Sequence, residues 1–159
     1  MMNFETIDTS LIDAETLPWV PYAPYSPDVF IKLIKADPIR GEFISFLKAP
    51  VDIELARHYH SGTVIVYTIK GAWKYKEHDW VATPGSVVFE TAGSTHTPVG
   101  VPGYGDEVLT FNINVGDLWY FDADGKPCAV ENWRSAVQRY LDYCKEQDLA
   151  TVDVTSFSG

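Results

Sequence analysis

Short apolar runs and single-residue alternations fill the first three-quarters of the chain. Segments 29–35, 42–47, 54–60, 64–69, 72–76, 86–90 and 107–115 carry strand character. Turn residues separate them, at Asp37-Pro38, Gly41, Ala49-Pro50, Gly62, Gly71, Pro84-Gly85 and Gly93. Short strands at near-regular spacing predict an all-β sandwich or barrel. Gly71 falls inside a β-rich run, where a glycine marks a bend or bulge. Alternation puts Val64, Val66 and Thr68 on one face, predicted to line a cavity. Phe111 and Ile113 alternate with Asn112 and Asn114, and alternation does not say which pair faces inward. Phe111 is named here as the cavity-facing candidate.

One segment changes period. From Asn132, apolar residues fall at Trp133, Ala136, Val137, Tyr140, Leu141 and Cys144, the single stripe of an amphipathic helix. Asn132 suits the N-cap, and the helix is expected to end near Gln147 and to pack outside the sheet. At the other end, residues 1–17 are polar and aperiodic. Pro18, Pro21, Pro24 and Pro27 then alternate with Trp19, Tyr22 and Tyr25. Proline removes backbone donors and favours extended geometry. Residues 1–28 are therefore expected to form an arm lying across the body of a single domain at 29–159, pinned by its aromatic rings.

Composition narrows the partners. The net charge is −10, with 22 acidic against 12 basic residues. Phosphate binding needs a basic face, so neither nucleic acid nor an anionic membrane is an expected partner. No apolar run is long enough for a bilayer, and the start lacks a basic then apolar leader, which predicts a cytoplasmic protein. Cys128 and Cys144 are far apart and are read as reduced thiols. Aromatic residues make up 14% of the chain, enough for a β-rich core or an apolar pocket.

The histidines carry the chemistry. Three of the four, His58, His60 and His96, are spaced for one metal. Residues two apart on a strand share a face, about 7 Å apart along the backbone, so His58 and His60 stand side by side. His96 follows the turn Ala92-Gly93-Ser94-Thr95 and supplies a third nitrogen if the chain folds back. Three neutral nitrogens suit Zn, Fe, Ni or Cu and leave positions open for water, oxygen or substrate. Arg57 and Tyr59 point away by parity. His78 sits in a polar turn and is expected to be exposed. Trp119, Tyr120 and Phe121 read as core packing, with a pocket wall as the alternative.

These positions resemble the cupin motifs. In the first motif, G-x5-H-x-H-x3-E-x6-G, His58, His60 and Gly71 match; Asp52 replaces the first Gly and Val64 replaces the metal-binding Glu. In the second, G-x5-P-x-G-x2-H-x3-N, Gly85, Gly93 and His96 match, with Thr91 and Gly100 departing. The resemblance implies a double-stranded β-helix, or jelly-roll, barrel with the extended arm and one C-terminal helix over about residues 132–147. Val64 cannot bind metal, so the implied site is three-histidine. Acetylacetone-cleaving cupins carry a Glu six positions before the third His, and Glu90 stands there; the resemblance places it behind the ligands, accepting the outer N–H of a metal-bound imidazole, with a surface Glu in an ordinary strand as the alternative.

A closer resemblance is to the 2,4′-dihydroxyacetophenone dioxygenase branch. Gly71-Ala72-Trp73-Lys74-Tyr75, the run from Asp79 to Ser86, Glu90-Thr91-Ala92-Gly93 and His96-Thr97 carry it, across roughly residues 18–145. It implies Fe(II) on three histidines, with Zn or Ni possible in a purified sample, and cleavage of a small aryl hydroxyketone by O2 to an acid and formate. A β-diketone dioxygenase is the alternative with the same site. A non-catalytic Zn-binding cupin sensor is the alternative of another class. The resemblance further implies a homodimer or homotetramer.

Overall fold

The computed structural model describes residues 9–23 and 25–155. Its strands are β1 (Val20–Tyr22), β2 (Ser26–Asp37), β3 (Glu42–Pro50), β4 (His58–His60), β5 (Val64–Lys70) and β6 (Trp73–Tyr75). They continue as β7 (Val87–Glu90), β8 (Thr95–His96), β9 (Pro98–Gly100), β10 (Glu107–Val115), β11 (Leu118–Phe121) and β12 (Pro127–Glu131), followed by helix α1 (Trp133–Glu146). Six strands form one antiparallel sheet in the order β1-β2-β3-β10-β5-β7; β12-β11-β4-β8 form a second, and β6 pairs with β9. This is the all-β jelly roll implied by the motifs.

Alternation explains the central strands. In β10, Val108, Thr110, Asn112 and Asn114 are buried while their neighbours are half-exposed. In β5, Val64, Val66 and Thr68 are buried while Ile65, Tyr67 and Ile69 are exposed. Gly71 ends β5 with φ +74, a conformation that favours glycine, and a Cβ there would collide with the Glu107 carbonyl. Next to it the β5–β10 register shifts at Leu109/Thr110.

Two expectations change. The predicted strand 54–60 is regular only at His58–His60, with Glu54 making an isolated bridge to Val99. Phe111 does not line the cavity. It points outward and packs edge-on to Phe46 at 5.4 Å between ring centroids, while Asn112 and Asn114 point in. Sequence polarity gives the wrong face here because the inner wall of the barrel is itself partly polar.

The main core lies between the six-stranded sheet and α1. Val29, Phe43, Tyr140 and Cys144 are almost wholly enclosed there, and each large apolar side chain so buried contributes about 1.5–3 kcal/mol. The helix starts as expected: the Asn132 side chain accepts from the backbone N–H of Arg134 and Ser135, and the Ser135 hydroxyl accepts from the Asn132 N–H. This capping box satisfies donors that the first turn leaves bare. Among the described residues, no helix is long and apolar enough to cross a membrane.

Candidate metal centre

The site lies between two sheets. β4 and β8 pair antiparallel with His58 directly opposite His96. His60 is two residues on from His58 and shares its face, so three imidazoles crowd one patch of the smaller sheet. The backbone fixes the turn between the strands: the Gly93 N–H donates to the His60 carbonyl at 2.8 Å, and the His60 N–H donates to the Ser94 carbonyl at 3.0 Å.

All three rings are buried, and one nitrogen from each lies within 4.8 Å of the others. His60 Nε2 and His96 Nε2 are 2.9 Å apart. The His58 Nδ1–H donates to the Ala56 carbonyl at 2.9 Å, which leaves Nε2 with the lone pair. Burial, with His60 adding to it, pushes His58 down to about 3, so this imidazole is neutral at ordinary pH. Tyr75 stacks flat on His96, with centroids 3.7 Å apart at 12°, and holds that ring in place.

A carboxylate enters from the opposite sheet. Glu90 Oε2 lies 2.9 Å from His60 Nε2 and 3.5 Å from His96 Nε2. Oε1 accepts a short hydrogen bond from the Tyr75 hydroxyl. Burial raises the Glu90 pKa, but contacts with His60, His96 and Tyr75 outweigh it and bring the group to about 2. Glu90 thus reaches the converging nitrogens themselves, not the outer nitrogens of the rings. His60 Nδ1 is buried without a partner.

The origin of this carboxylate is visible in the register. Val64 of β5 is the cross-strand partner of Glu90 of β7. Side chains in directly opposed positions stand about 5 Å apart. The cupin motif's glutamate is absent at residue 64, and Glu90 fills the same space from the adjoining strand.

The donor set fits a transition-metal ion. Donor atoms about 2.1 Å from an ion are separated by about 3.0 Å in octahedral and about 3.4 Å in tetrahedral geometry. The spacings among His60 Nε2, His96 Nε2 and Glu90 Oε2 run from 2.9 to 3.5 Å. His58, His60 and His96 would hold the ion, with Glu90 Oε2 within reach.

Beside the histidines is a cavity of about 110 Å³. Val64 and Val66 line it, as expected from alternation. Thr68, on the same face, does not; it is buried and accepts the Trp73 indole N–H at 2.9 Å. Ser45, Asn112 and Asn114 make one wall polar. Tyr22 and Tyr120 close another, their hydroxyls hydrogen-bonded at 2.8 Å, and the Tyr120 ring lies 5.2 Å from that of His58. Tyr120 is therefore a pocket wall, whereas Trp119 is exposed. His78 is exposed, stacks on Trp80 and lies 6.2 Å from the Tyr75 ring; it is not among the three histidines whose nitrogens converge.

Tyr75 and Tyr22 also belong to the site, and neither stands out in the sequence as a site residue. Trp73 and Tyr75 alternate on one face of a short strand, and that parity was the available signal for Tyr75. Tyr22 gave none, because nothing in a proline-rich stretch says which ring turns inward.

The chain matches the ChrR cupin-like domain family over residues 8–115. No curated protein matches it. An RmlC-like cupin protein from Ralstonia eutropha JMP134 is 51% identical, with a TM-score of 0.93 over 99% of this chain and 100% of that one. A second protein of that organism, of unknown function with a cupin-like fold, is 21% identical with a TM-score of 0.81, over 98% of this chain and 96% of that one. An acetylacetone dioxygenase from Acinetobacter johnsonii is 19% identical with a TM-score of 0.74, over 89% of this chain and 96% of that one. The two at or near 20% identity share the fold. Family match, sheet order and histidine spacing agree: this chain belongs to the ChrR cupin-like domain family.

Proposed function

We propose that this protein is a non-haem iron dioxygenase that cleaves a carbon–carbon bond of a small ketone carrying an adjacent hydroxyl or second carbonyl. The observation that carries the reading is the convergence of three buried imidazoles, one held neutral by burial, at the edge of a largely apolar cavity. Bound Fe(II) supplies Lewis acidity and a partner for O2 there.

The chain's own groups supply the rest. Ala56 and Tyr75 fix the orientations of His58 and His96, so little reorganisation follows ligand binding. Glu90 Oε2 lies against the nitrogens that would hold the ion, and Tyr75 holds the other oxygen. The aliphatic and aromatic walls exclude water, which strengthens every charge interaction inside.

An aryl hydroxyketone of the 2,4′-dihydroxyacetophenone type uses the Tyr22, Tyr120 and Trp73 rings as its wall. One observation favours the second reading, a compact β-diketone: the cavity holds about 110 Å³, below the roughly 150 Å³ that accommodates a single benzene. Oxygen uptake after anaerobic Fe(II) loading, with each ketone in turn, separates the two. Consumption with neither, alongside one tightly held Zn per chain, would replace both by a Zn-binding role without catalysis.

A further inference from the structure

The inner face of the six-stranded sheet changes chemistry from one strand to the next. Glu90 of β7, Val64 of β5 and Asn114 of β10 stand in one cross-strand row. Val66, Asn112 and Ser45 of β3 continue the row beside it. Neighbouring strands lie about 4.8 Å apart, so Asn114 is about 10 Å from Glu90 at the backbone. All six side chains line the cavity. Its lining therefore passes from the carboxylate at the histidines, through two valines, to amide and hydroxyl groups.

The amide end is not satisfied by the barrel. Asn112 is committed, because its amide bonds to Thr110 at 3.1 to 3.4 Å. Asn114 is not. Its Nδ2 reaches only the Phe43 carbonyl, at 3.5 Å, and its Oδ1 has no donor among the described residues. The Ser45 hydroxyl has no hydrogen-bond partner among them either, although Ser45 is only 2% exposed. Asparagine is disfavoured inside strands, and buried polar groups are normally paired. A purely structural role would leave both groups bonded to the protein, as Asn112 is.

The rest of the lining sets the charge. Among the described residues, no Lys or Arg reaches the cavity, and Glu90 is its one carboxylate. A ligand carboxylate or phosphate placed at the amide end would be buried without a counter-charge, which is costly.

We propose that Ser45 and Asn114 form a recognition subsite for an uncharged hydroxyl at the far end of the ketone. A hydroxyl both gives and takes hydrogen bonds. It donates to Asn114 Oδ1 and accepts from the Ser45 hydroxyl, while Val64 and Val66 pack on the carbon between the two ends. The substrate class is then a neutral ketone, apolar in the middle and hydroxylated away from the histidines; a keto acid is rejected. This role rests on the three histidines holding the ketone end through a metal, as proposed above.

Binding without turnover tests the subsite. Cyclohexanone, 4-hydroxycyclohexanone and 4-oxocyclohexanecarboxylate share one ring and differ only opposite the ketone, and none carries an oxygen on the adjacent carbon. The full chain is loaded with Zn(II), and tryptophan fluorescence is followed because Trp73 lines the cavity. 4-Hydroxycyclohexanone is expected to bind about tenfold more tightly than cyclohexanone, the step that a neutral hydrogen bond supplies. The carboxylate is expected to bind most weakly of the three. Ser45→Ala and Asn114→Leu are each expected to cut the preference for the hydroxyl to about threefold or less, by weakening the hydroxyketone alone. Far-UV circular dichroism checks that each variant is folded, and elemental analysis checks that it keeps its Zn. Equal affinity for the two neutral ketones would overturn the proposal, as would tightest binding of the carboxylate, binding of none of the three, or a preference that the folded variants retain. A wild type that holds no Zn would remove the metal reading and the subsite with it. Oxygen uptake is measured separately: its absence would count against the dioxygenase and leave the subsite standing, whereas uptake without the hydroxyl preference would remove the subsite alone.

Discussion

Among the described residues two carboxylates are buried in this barrel, and their surroundings are opposites. Glu131 is wholly enclosed and fully partnered. Arg139 meets it with two bonds of 2.7 and 2.6 Å, Ser135 donates at 2.8 Å, and Tyr25 donates at 3.1 Å. Glu90 is 5% exposed and accepts from Tyr75 through one oxygen only. Its other oxygen lies against two imidazole nitrogens and receives no directed hydrogen bond. Buried polar groups are normally satisfied, because an unmet one costs about 1–3 kcal/mol. A cation held by the histidines would lie against this oxygen and meet its open lone pairs. The first carboxylate ties strands to a helix; the second is left open on the side of the histidines.

The largest effects should come from removing what the second cluster shares. His96→Ala is expected to abolish tight metal binding, while His78→Ala retains it; elemental analysis of the purified variants reads the difference. Equal retention in both would take His96 out of the site. Metal should also raise the melting temperature of the wild type, by about 4 kcal/mol of stability at a thousandfold excess over the dissociation constant.

At the structural carboxylate the pattern should invert. Arg139→Met leaves Glu131 buried and unpaired, a change that costs about 3–5 kcal/mol. Urea unfolding measures it, and the folded variant should bind metal as the wild type does. A loss below about 1 kcal/mol would mean that solvent reaches Glu131 when Arg139 is gone, and the contrast would fail.

Most of the fold was legible because alternation and turn residues are local signals. The helix stripe and its Asn132 cap were fixed by residues within a few positions of one another. The three histidines were legible from spacing, since parity on β4 and a turn before β8 suffice. Glu90 was placed near the site, but its approach to the nitrogens depends on the β5–β7 register, which no local pattern encodes. The inward face of β10 was misjudged for a related reason. Phe111 and Ile113 look like core, yet they belong to the outer face of the sheet, while Asn112 and Asn114 line the cavity.

The pairing of residue 64 with Glu90 leads to an effect of intermediate size. Val64→Glu restores the motif carboxylate directly across the ladder from Glu90. Two buried like charges repel, so the metal-free protein should lose about 2–3 kcal/mol. Metal should recover more stability than it adds to the wild type. Thermal melts with and without metal report both numbers. An unchanged metal-free melt would show that residue 64 does not face the centre.

The smallest expected effect separates the clusters where they nearly touch. Tyr22 and Tyr120 share one hydrogen bond of 2.8 Å, and both line the cavity. Two hydroxyls carry two hydrogens, and one hydrogen lies between them. The other has no further protein acceptor among the described residues, so it is free to meet a ligand oxygen. Burial pushes both hydroxyls well above the usual tyrosine range, so neither ionises near neutral pH and the donor persists. Tyr22→Phe removes one hydroxyl and the shared bond. Stability should fall by about 1 kcal/mol, metal content should stay constant, and KM for the ketone should rise severalfold with kcat changed less. Tyr25→Phe removes a hydroxyl committed to Glu131 and Val130, so it should cost stability without moving KM. If both variants shift KM alike, the tyrosine pair belongs to the structural cluster, and the boundary between the two halves of the barrel lies closer to His58.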